Sequence, residues 1–196
     1  PWWYAAPISA LSVNDNCIDF YIKPGPAGEA ASIDYYPKTS FIKLKNESIT
    51  VQDSVQKRLK IDRDWVLNKN NFKAYGEIND TSDVDTLYRN VYDPSTFTGV
   101  VFKESLEKYG AKVKTISKKK TSNKSYKKIS THLSKPLIQS ATNLMSESDN
   151  LTAELFVKSI GALDTLPGTW RIGLDSIKSF LAKEVLIDTS NIRLAD

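Results

Sequence analysis

The stretch LMSESDNLTAELFVKSIG, residues 144–161, decides how the second half of the chain folds. Apolar residues recur at helical spacing on both sides of three small polar residues, Ser148, Asp149 and Asn150, so the pattern predicts two helices joined by a tight turn. All three residue types are preferred helix N-caps, and a cap needs only one of them. Neither Ser148 nor Asn150 is followed three residues later by Glu or Gln, so neither forms a capping box. The triplet is therefore either a helix cap or a group that carries out chemistry.

The helical pattern extends outward from the triplet. Upstream, a helix is predicted to start at Pro136, and downstream the helix after the triplet is predicted to stop at Gly161. A further helix opens at LPGTW, and the final residues VLIDTSNIRLAD predict one or two closing strands. Earlier in the chain, DPSTFTGVVFKESLEKYG predicts a helix that begins near Pro94 and ends at Gly110. The second half is thus expected to be mainly helical.

The first half has a strand-like pattern instead. The run NCIDFYIKPG alternates and stops at a Pro-Gly turn signal. Two further strands are predicted on either side of Pro37, with Asn46 as a plausible turn, and RLKIDRDWVLNKNNFKAYGEI predicts a hairpin whose loop covers residues 68–71. Short strands at this spacing predict a small antiparallel sheet or barrel. The predicted fold class of the whole chain is α+β.

Composition excludes several classes of protein. With 196 residues and 40% apolar side chains, the chain can form one large domain or two small ones. No apolar run is long enough to span a bilayer. One Cys and one His are too few for a His/Cys zinc site, and no metal or cofactor is predicted. The start at Pro1, without Met or a signal peptide, predicts an internal piece of a longer protein.

The positive charge is concentrated in one segment. Ten lysines and no acidic residue lie between Lys108 and Ser146, so the rest of the chain carries 27 minus 10, that is 17, basic residues against 23 acidic ones. A segment such as residues 112–128 could bind nucleic acid or an anionic surface. Only Tyr126 interleaves with the lysines, and no nucleic-acid-binding motif is present. An exposed loop is therefore the favoured interpretation, and no nucleic-acid partner is expected.

The chemical interpretation of the triplet rests on its sequence. S-D-N is one of three motifs of penicillin-recognising serine enzymes, together with S-x-x-K and K-T-G. In such enzymes the S-x-N serine lies on a loop between two helices, which is the context predicted for Ser148. Its hydroxyl can pass a proton to the leaving amine, and the amide of the motif's asparagine binds the substrate peptide. A tripeptide alone is weak evidence, so the flanking sequence has to decide.

Three blocks of sequence flank or contain the triplet and carry a resemblance. YAAPISALSVNDN (residues 4–16), MSESDNLTAELFVKSIG (145–161) and LPGTWRIGLDSIKSFL (166–181) resemble the D-alanyl-D-alanine carboxypeptidase/endopeptidases of the penicillin-binding protein 4 type. The blocks occur in that family's order, and NIRLAD resembles the start of its next segment. The β-rich region between the blocks is only loosely similar.

The resemblance implies a fold and a function. Residues 1–88 would be the later part of a β-rich inserted subdomain, and residues 89–196 would be the helical portion of a split transpeptidase-like (β-lactamase-like) domain. The family cleaves D-Ala from peptidoglycan stem peptides, or cuts their cross-links, through an acyl-serine intermediate that β-lactams mimic. The implied location is periplasmic or otherwise extracytoplasmic. The resemblance makes Ser148 and Asn150 catalytic, with Asn150 and Asp149 in substrate binding.

The family's other two motifs are not in the chain. Its S-x-x-K lies upstream of the first block and its K-T-G downstream of the last one. S-x-x-K spacing occurs here at five places, of which only Ser105/Lys108 lies in a predicted helix, near its end. Three hypotheses remain: an incomplete D,D-peptidase, a noncatalytic cell-wall binding or scaffold relative, and a basic binder of anionic polymers. The first is preferred, and the formation of a homo-oligomer stays open.

Overall fold

The computed structural model describes residues 2–52, 58–119 and 127–194. The chain divides into two compact units, residues 1–129 and residues 130–196. Among the described residues, the first unit contains two single-turn 3-10 helices (Trp3–Ala5 and Asn14–Asn16), six strands and one α-helix: β1 (Cys17–Lys23), β2 (Ser32–Tyr36), β3 (Lys43–Val51), β4 (Lys60–Arg63), β5 (Asn71–Asn79), β6 (Asp85–Asn90) and α1 (Pro94–Lys108). The second contains three helices: α2 (Leu137–Glu147), α3 (Asn150–Asp164) and α4 (Trp170–Lys183). The predicted α+β class is confirmed.

The six strands form two three-stranded sheets. One has the order β2-β1-β6 and is antiparallel throughout; the other has the order β3-β5-β4. The hairpin predicted between β4 and β5 is present, with residues 64–70 as its connection. The prediction of a purely antiparallel sheet is wrong for β3 and β5, which pair in parallel. Strand β5 forms a hairpin with β4 and lies between β4 and β3, whereas a simple meander would place β4 in the centre, so β5 pairs with β3 in parallel.

Asn46 is not a turn, as predicted, but a residue inside β3. Its side-chain Nδ2 donates to the carbonyl of Ala31 at 2.7 Å, and its Oδ1 accepts from the Ser48 hydroxyl at 2.7 Å. The polar side chain thus has hydrogen-bond partners on the backbone of Ala31 and on the Ser48 side chain, so its position inside a strand leaves it satisfied.

One apolar core lies within the first unit. Inward-facing side chains from both sheets, such as Phe20 and Phe72, have their ring centroids 5.2 Å apart. Helix α1 adds Phe97, which is fully buried and packs on Phe41 with 5.5 Å between ring centroids. The Ser40 hydroxyl donates to Glu104 of the same helix at 2.6 Å. Helix α1 is therefore an integral part of this unit.

The ends of α1 follow the sequence signals. The side chain of Asp93 accepts from the backbone N–H of Thr96, and Pro94 occupies the first helical position, where no N–H is needed. Gly110 follows the helix with a φ of 88°, a backbone conformation that glycine adopts without steric cost. Both ends of α1 agree with the prediction.

Tyr88 and Arg89, between which the family subdomains are predicted to meet, both lie in β6, and the two compact units divide after residue 129. Val91 and Phe97, which follow that boundary, belong to the same buried cluster as the strands. The assignment of residues 1–88 and 89–196 to family subdomains stays a prediction about the longer protein.

In the second unit, α3 and α4 approach each other closely at two glycines. A Cβ on Gly161 would lie 2.8 Å from the carbonyl oxygen of Thr169, and a Cβ on Gly173 would lie 2.0 Å from that of Val157. This packing corrects the prediction that Gly161 stops its helix, because α3 continues to Asp164. The glycine serves the contact between the helices rather than a helix end.

The predicted closing strand is also wrong for the part of the tail that the structure describes, residues 184–194, which has no regular structure. The backbone N–H of Ile187 donates to the carbonyl of Leu181 at 3.0 Å, so the chain turns back on the end of α4. Strands need an adjacent strand edge for their hydrogen bonds, and the described elements of this unit are all helices.

Replacing Gly173 by Ala is expected to destabilise the helical unit by about 1–3 kcal/mol, because the new methyl group must push α3 and α4 apart. Gly99→Ala is the matched control. Gly99 also lies within a helix, but its Cβ would meet only Ile116 Cδ1, at an ordinary 3.5 Å. That variant should be neutral or gain up to about 1 kcal/mol from helix propensity. Thermal unfolding followed by circular dichroism measures both; shifts of the same sign would contradict the glycine contact.

Candidate active site

The triplet Ser148-Asp149-Asn150 forms the turn between α2 and α3. Ser148 follows α2 as its C-cap and has left-handed backbone angles, φ 52° and ψ 48°. Asp149 returns to an extended conformation, and Asn150 is the first residue of α3. The backbone N–H of Asp149 donates to the carbonyl of Leu144 at 3.2 Å, which closes the end of α2. The helix–turn–helix arrangement predicted from the sequence is thus present.

Asp149 is the helix cap. Its Oδ1 accepts from the backbone N–H of Thr152 at 3.2 Å, and its Oδ2 accepts from the Thr152 hydroxyl. Its own carbonyl accepts the first helical hydrogen bond, from the N–H of Ala153 at 3.1 Å. Since the Asp149 side chain is the N-cap of α3, neither the Ser148 hydroxyl nor the Asn150 amide is needed for that role. The substrate-binding role predicted for Asp149 stays a prediction.

Ser148 and Asn150 are both exposed, on either side of this cap. A serine hydroxyl donates one hydrogen bond and accepts others, so it is able to receive a proton and pass one on. An asparagine amide offers two N–H donors and one carbonyl acceptor, which matches the pattern of a peptide group. The structure therefore presents an exposed hydroxyl and an exposed amide within one short turn. Their catalytic roles stay predictions.

Asn150 lines a cleft of about 330 Å³ in the helical unit. The walls come from one face of α3, one face of α4 and the irregular residues 193–194. Six of the nine lining residues are apolar, namely Ala153, Val157, Trp170, Leu174, Ile177 and Leu194. The other three, Asn150, Glu154 and Arg193, are polar or charged. Trp170, the first residue of α4, is half-buried in this wall. Ser148 is not among the lining residues.

Sequence reasoning missed Glu154 and Arg193 as residues near the triplet. Both line the same cleft as Asn150 and bring opposite charges to it. Glu154 follows Asn150 by four residues, so helical spacing alone would have placed the two on one face of α3. Arg193 carries no comparable signal, because its position depends on how the irregular tail returns to the helices.

The family comparison covers the entire chain. The model of the D-Ala-D-Ala carboxypeptidase 3 (S13) family matches residues 1–196. The chain belongs to this family. Among curated proteins, the D-alanyl-D-alanine carboxypeptidase of Actinomadura sp. (strain R39) is 28% identical over 205 residues, covering 100% of the chain and 38% of that protein. The resemblance noted from the three sequence blocks is confirmed.

Solved structures show the same fold. A crystal structure of penicillin-binding protein 4 from Haemophilus influenzae, complexed with a β-lactam, matches with a TM-score of 0.73 at 18% identity, covering 98% of the chain and 44% of that structure. A second structure of that protein matches with a TM-score of 0.70 at 19% identity, covering 99% of the chain and 43% of it. The chain thus spans less than half the length of the proteins it matches.

Other candidate nucleophiles in this S13 chain have less suitable surroundings. Ser105 and Lys108 lie exposed in the last turn of α1, in the first compact unit rather than in the one that contains the triplet. The hydroxyl of Ser40 is engaged with Glu104. Burial, with a smaller contribution from nearby carboxylates, raises the pKa of the Cys17 thiol to about 12, so a reactive thiolate is not formed near neutral pH. The remaining S-x-x-K spacings include Ser54, Lys57, Lys120 and Ser125, which lie outside the described residues.

The lysine segment is exposed where the structure describes it. Residues 111–119 and 127–136 form neither helix nor strand, so the predicted loop is found there. Lys118 pairs with Asp93, the cap of α1. Residues 120–126 lie outside the described part.

The described residues show neither a metal-binding cluster nor a membrane-spanning helix. They contain no cluster of three or more His, Cys, Asp or Glu side chains suited to holding a metal ion. None of their helices is long and apolar enough to cross a membrane.

Proposed function

We propose that this chain is the S-D-N-bearing part of a serine-type D-Ala-D-Ala carboxypeptidase/endopeptidase that acts on peptidoglycan stem peptides and is inhibited by β-lactams. The observation that carries the proposal is that Asp149 alone supplies the N-cap of α3, while Ser148 and Asn150 are exposed on either side of it. Membership of the S13 family over residues 1–196 supports the assignment.

In the proposed reaction the nucleophile is the serine of an S-x-x-K motif elsewhere in the longer protein. Its Oγ attacks the carbonyl carbon of the penultimate D-Ala, and the C–N bond to the terminal residue breaks. The leaving amine needs a proton, which the Ser148 hydroxyl donates. Ser148 in turn receives a proton from the catalytic lysine or from the nucleophilic serine. Water then hydrolyses the acyl-serine ester. A β-lactam enters the same first step through its strained amide.

Asn150 positions the substrate in this scheme. Its amide is fixed at the first position of α3, and it lines the cleft between α3 and α4. An amide that donates to and accepts from the substrate peptide would set the distance between the scissile bond and the Ser148 hydroxyl. The capped turn keeps both groups on a short, ordered backbone, which favours preorganisation.

The proposed location and partners follow from this chemistry. Peptidoglycan stem peptides lie outside the cytoplasmic membrane, so we place the longer protein in the periplasm or another extracytoplasmic compartment. The proposed mechanism uses side chains alone and involves no metal or cofactor.

Asn150→Ala in the longer protein is expected to lower kcat/KM for D-Ala release about tenfold, the equivalent of one lost hydrogen bond of about 1.4 kcal/mol. The second-order rate constant for acylation by benzylpenicillin should fall in parallel. Asn143→Ala is the matched control, because Asn143 is an exposed asparagine on the preceding helix. Equal rates in Asn150→Ala and the wild type would remove Asn150 from the mechanism.

A further inference from the structure

The outer face of the sheet β2-β1-β6 is aromatic and acidic. Along β1 the side chains of Phe20 and Ile22 enter the core, so the alternation turns Asp19 and Tyr21 to the opposite face. That outer face carries exposed tyrosines on all three strands. We call Tyr21, Tyr36, Tyr88 and Asp19 the tyrosine face.

The pairing register places these residues side by side. Asp19 pairs with Tyr36 on one neighbouring strand and with Tyr88 on the other, so the three residues form one row across the sheet with Asp19 in the middle. With strands about 4.8 Å apart, the two tyrosine positions are separated by about 10 Å. Tyr21 lies two residues further along the central strand. Its neighbours also act on its phenol, whose pKa is raised by burial and then by Asp19, Tyr88 and Tyr36.

The three rings remain open to solvent. Tyr21, Tyr36 and Tyr88 are 38%, 54% and 46% exposed, although each lies on a regular antiparallel sheet. Isolated exposed aromatic residues need no explanation, but a group of three on one rigid face is unusual for a surface without a binding role.

The carboxylate at the centre of the tyrosine face is held in place. Asp19 is half-buried, and its Oδ1 accepts from Asn14 Nδ2 at 2.9 Å. The same Asn14 nitrogen donates to the carbonyl of Cys17 at 3.1 Å, which ties the pair to the start of β1. The carboxylate orientation is thus fixed before a ligand arrives, which lowers the entropy cost of binding.

These features favour a sugar polymer over other occupants. A pyranose ring offers an apolar C–H face that packs on an aromatic ring, and hydroxyl and amide N–H donors that a carboxylate accepts. The Asp19 carboxylate at the centre of this face disfavours a polyanion, whereas the charge of Asp34 on the same face is paired with Lys38. Apart from the tyrosine rings, this face carries no large apolar side chain, unlike the core of a stable protein interface.

We propose that the tyrosine face binds the N-acetylated glycan strand of peptidoglycan, with one sugar ring over Asp19 between Tyr36 and Tyr88. The residues of the tyrosine face support sugar binding by themselves. The choice of peptidoglycan as the source of the sugar rests on the proposed function. The tyrosine face would bind the glycan strand of the polymer, and the helical unit would bind its stem peptide.

The test is a calorimetric titration of the longer protein with a soluble oligomer of β-1,4-linked N-acetylglucosamine. The wild type should bind saturably, and Tyr21→Ala and Tyr88→Ala should each weaken binding about tenfold or more. Asp19→Asn, which keeps the side-chain shape, should also weaken it. Tyr109→Ala is the matched control, since Tyr109 is 88% exposed in the same unit but follows α1. Circular dichroism verifies that each variant is folded.

Four results would overturn the glycan site: no saturable binding by the wild type, binding that is independent of Tyr21 and Tyr88, an equal loss in Tyr109→Ala, or self-association that disappears in the tyrosine variants. The last would identify the face as a contact between copies of the chain. Benzylpenicillin acylation of the same variants should stay at the wild-type rate. Glycan binding without any acylation of the wild type would contradict the proposed function and leave the tyrosine face in place.

Discussion

Replacing Ser148 by glycine in the longer protein should lower the rate constant for D-Ala release by a factor of about 10²–10⁴, the usual effect of removing a positioned proton-transfer group. The protein should remain folded, because Asp149, and not Ser148, caps α3. In the proposed mechanism, loss of the hydroxyl would leave the amine of the departing residue without its proton donor. The variant should therefore lower kcat more than it changes KM.

Glycine is the informative substitution at this position. Ser148 has a φ of 52°, a left-handed conformation that costs about 1 kcal/mol for a residue with a Cβ and nothing extra for glycine. Ser148→Gly removes the hydroxyl without adding strain, whereas alanine would retain the strain. Ser146→Ala is the control, because that hydroxyl bonds to the carbonyl of Asn143 within its own helix. Unchanged kinetics in Ser148→Gly would reduce the triplet to a structural turn.

Phe97→Ala should destabilise the first unit by about 3–5 kcal/mol, the usual cost of removing a large aromatic side chain from a packed core. Phe97 is fully buried against Phe41 and joins α1 to the strands. The free energy of unfolding is measured by urea denaturation followed by circular dichroism. A loss of this size would show that packing of Phe97 in the core, rather than helix propensity, holds α1 in its position.

Phe102→Ala is the matched control on the same helix. Phe102 is 63% exposed, so its loss should change the free energy of unfolding by less than about 1 kcal/mol. Similar losses in the two variants would contradict the assignment of α1 to the core of the β-rich unit. They would instead favour the predicted boundary at residues 88/89 as a structural division.

Capping and turn residues in the sequence were sufficient to predict elements whose ends depend on local backbone conformation. Strand β1 ends at Pro24-Gly25, and α1 runs from a Pro after an Asp cap to a glycine with positive φ. The parallel pairing of β3 and β5 could not be derived in this way, because it depends on contacts between segments distant in sequence. Gly161 misled the prediction for the same reason: its role is set by α4, not by its neighbours in the chain.

The candidate site was only partly accessible from the sequence. The tripeptide and its flanking helices located Ser148, Asp149 and Asn150, but three good capping residues in a row gave no means of choosing between them. The structure selects Asp149 through its contacts with Thr152. The cleft beside Asn150 depends on the α3–α4 packing and on the return of Arg193, neither of which leaves a periodic signal.

The most direct test of the central claim is the intact mass of the longer protein and of the 196-residue chain after incubation with excess benzylpenicillin. We predict one covalent adduct on the longer protein, mapped to the serine of its S-x-x-K motif, and no adduct on the 196-residue chain. A stoichiometric adduct on the 196-residue chain would contradict this account and direct attention to Ser105. The absence of an adduct on the longer protein would contradict the proposed peptidase and favour a noncatalytic member of the S13 family.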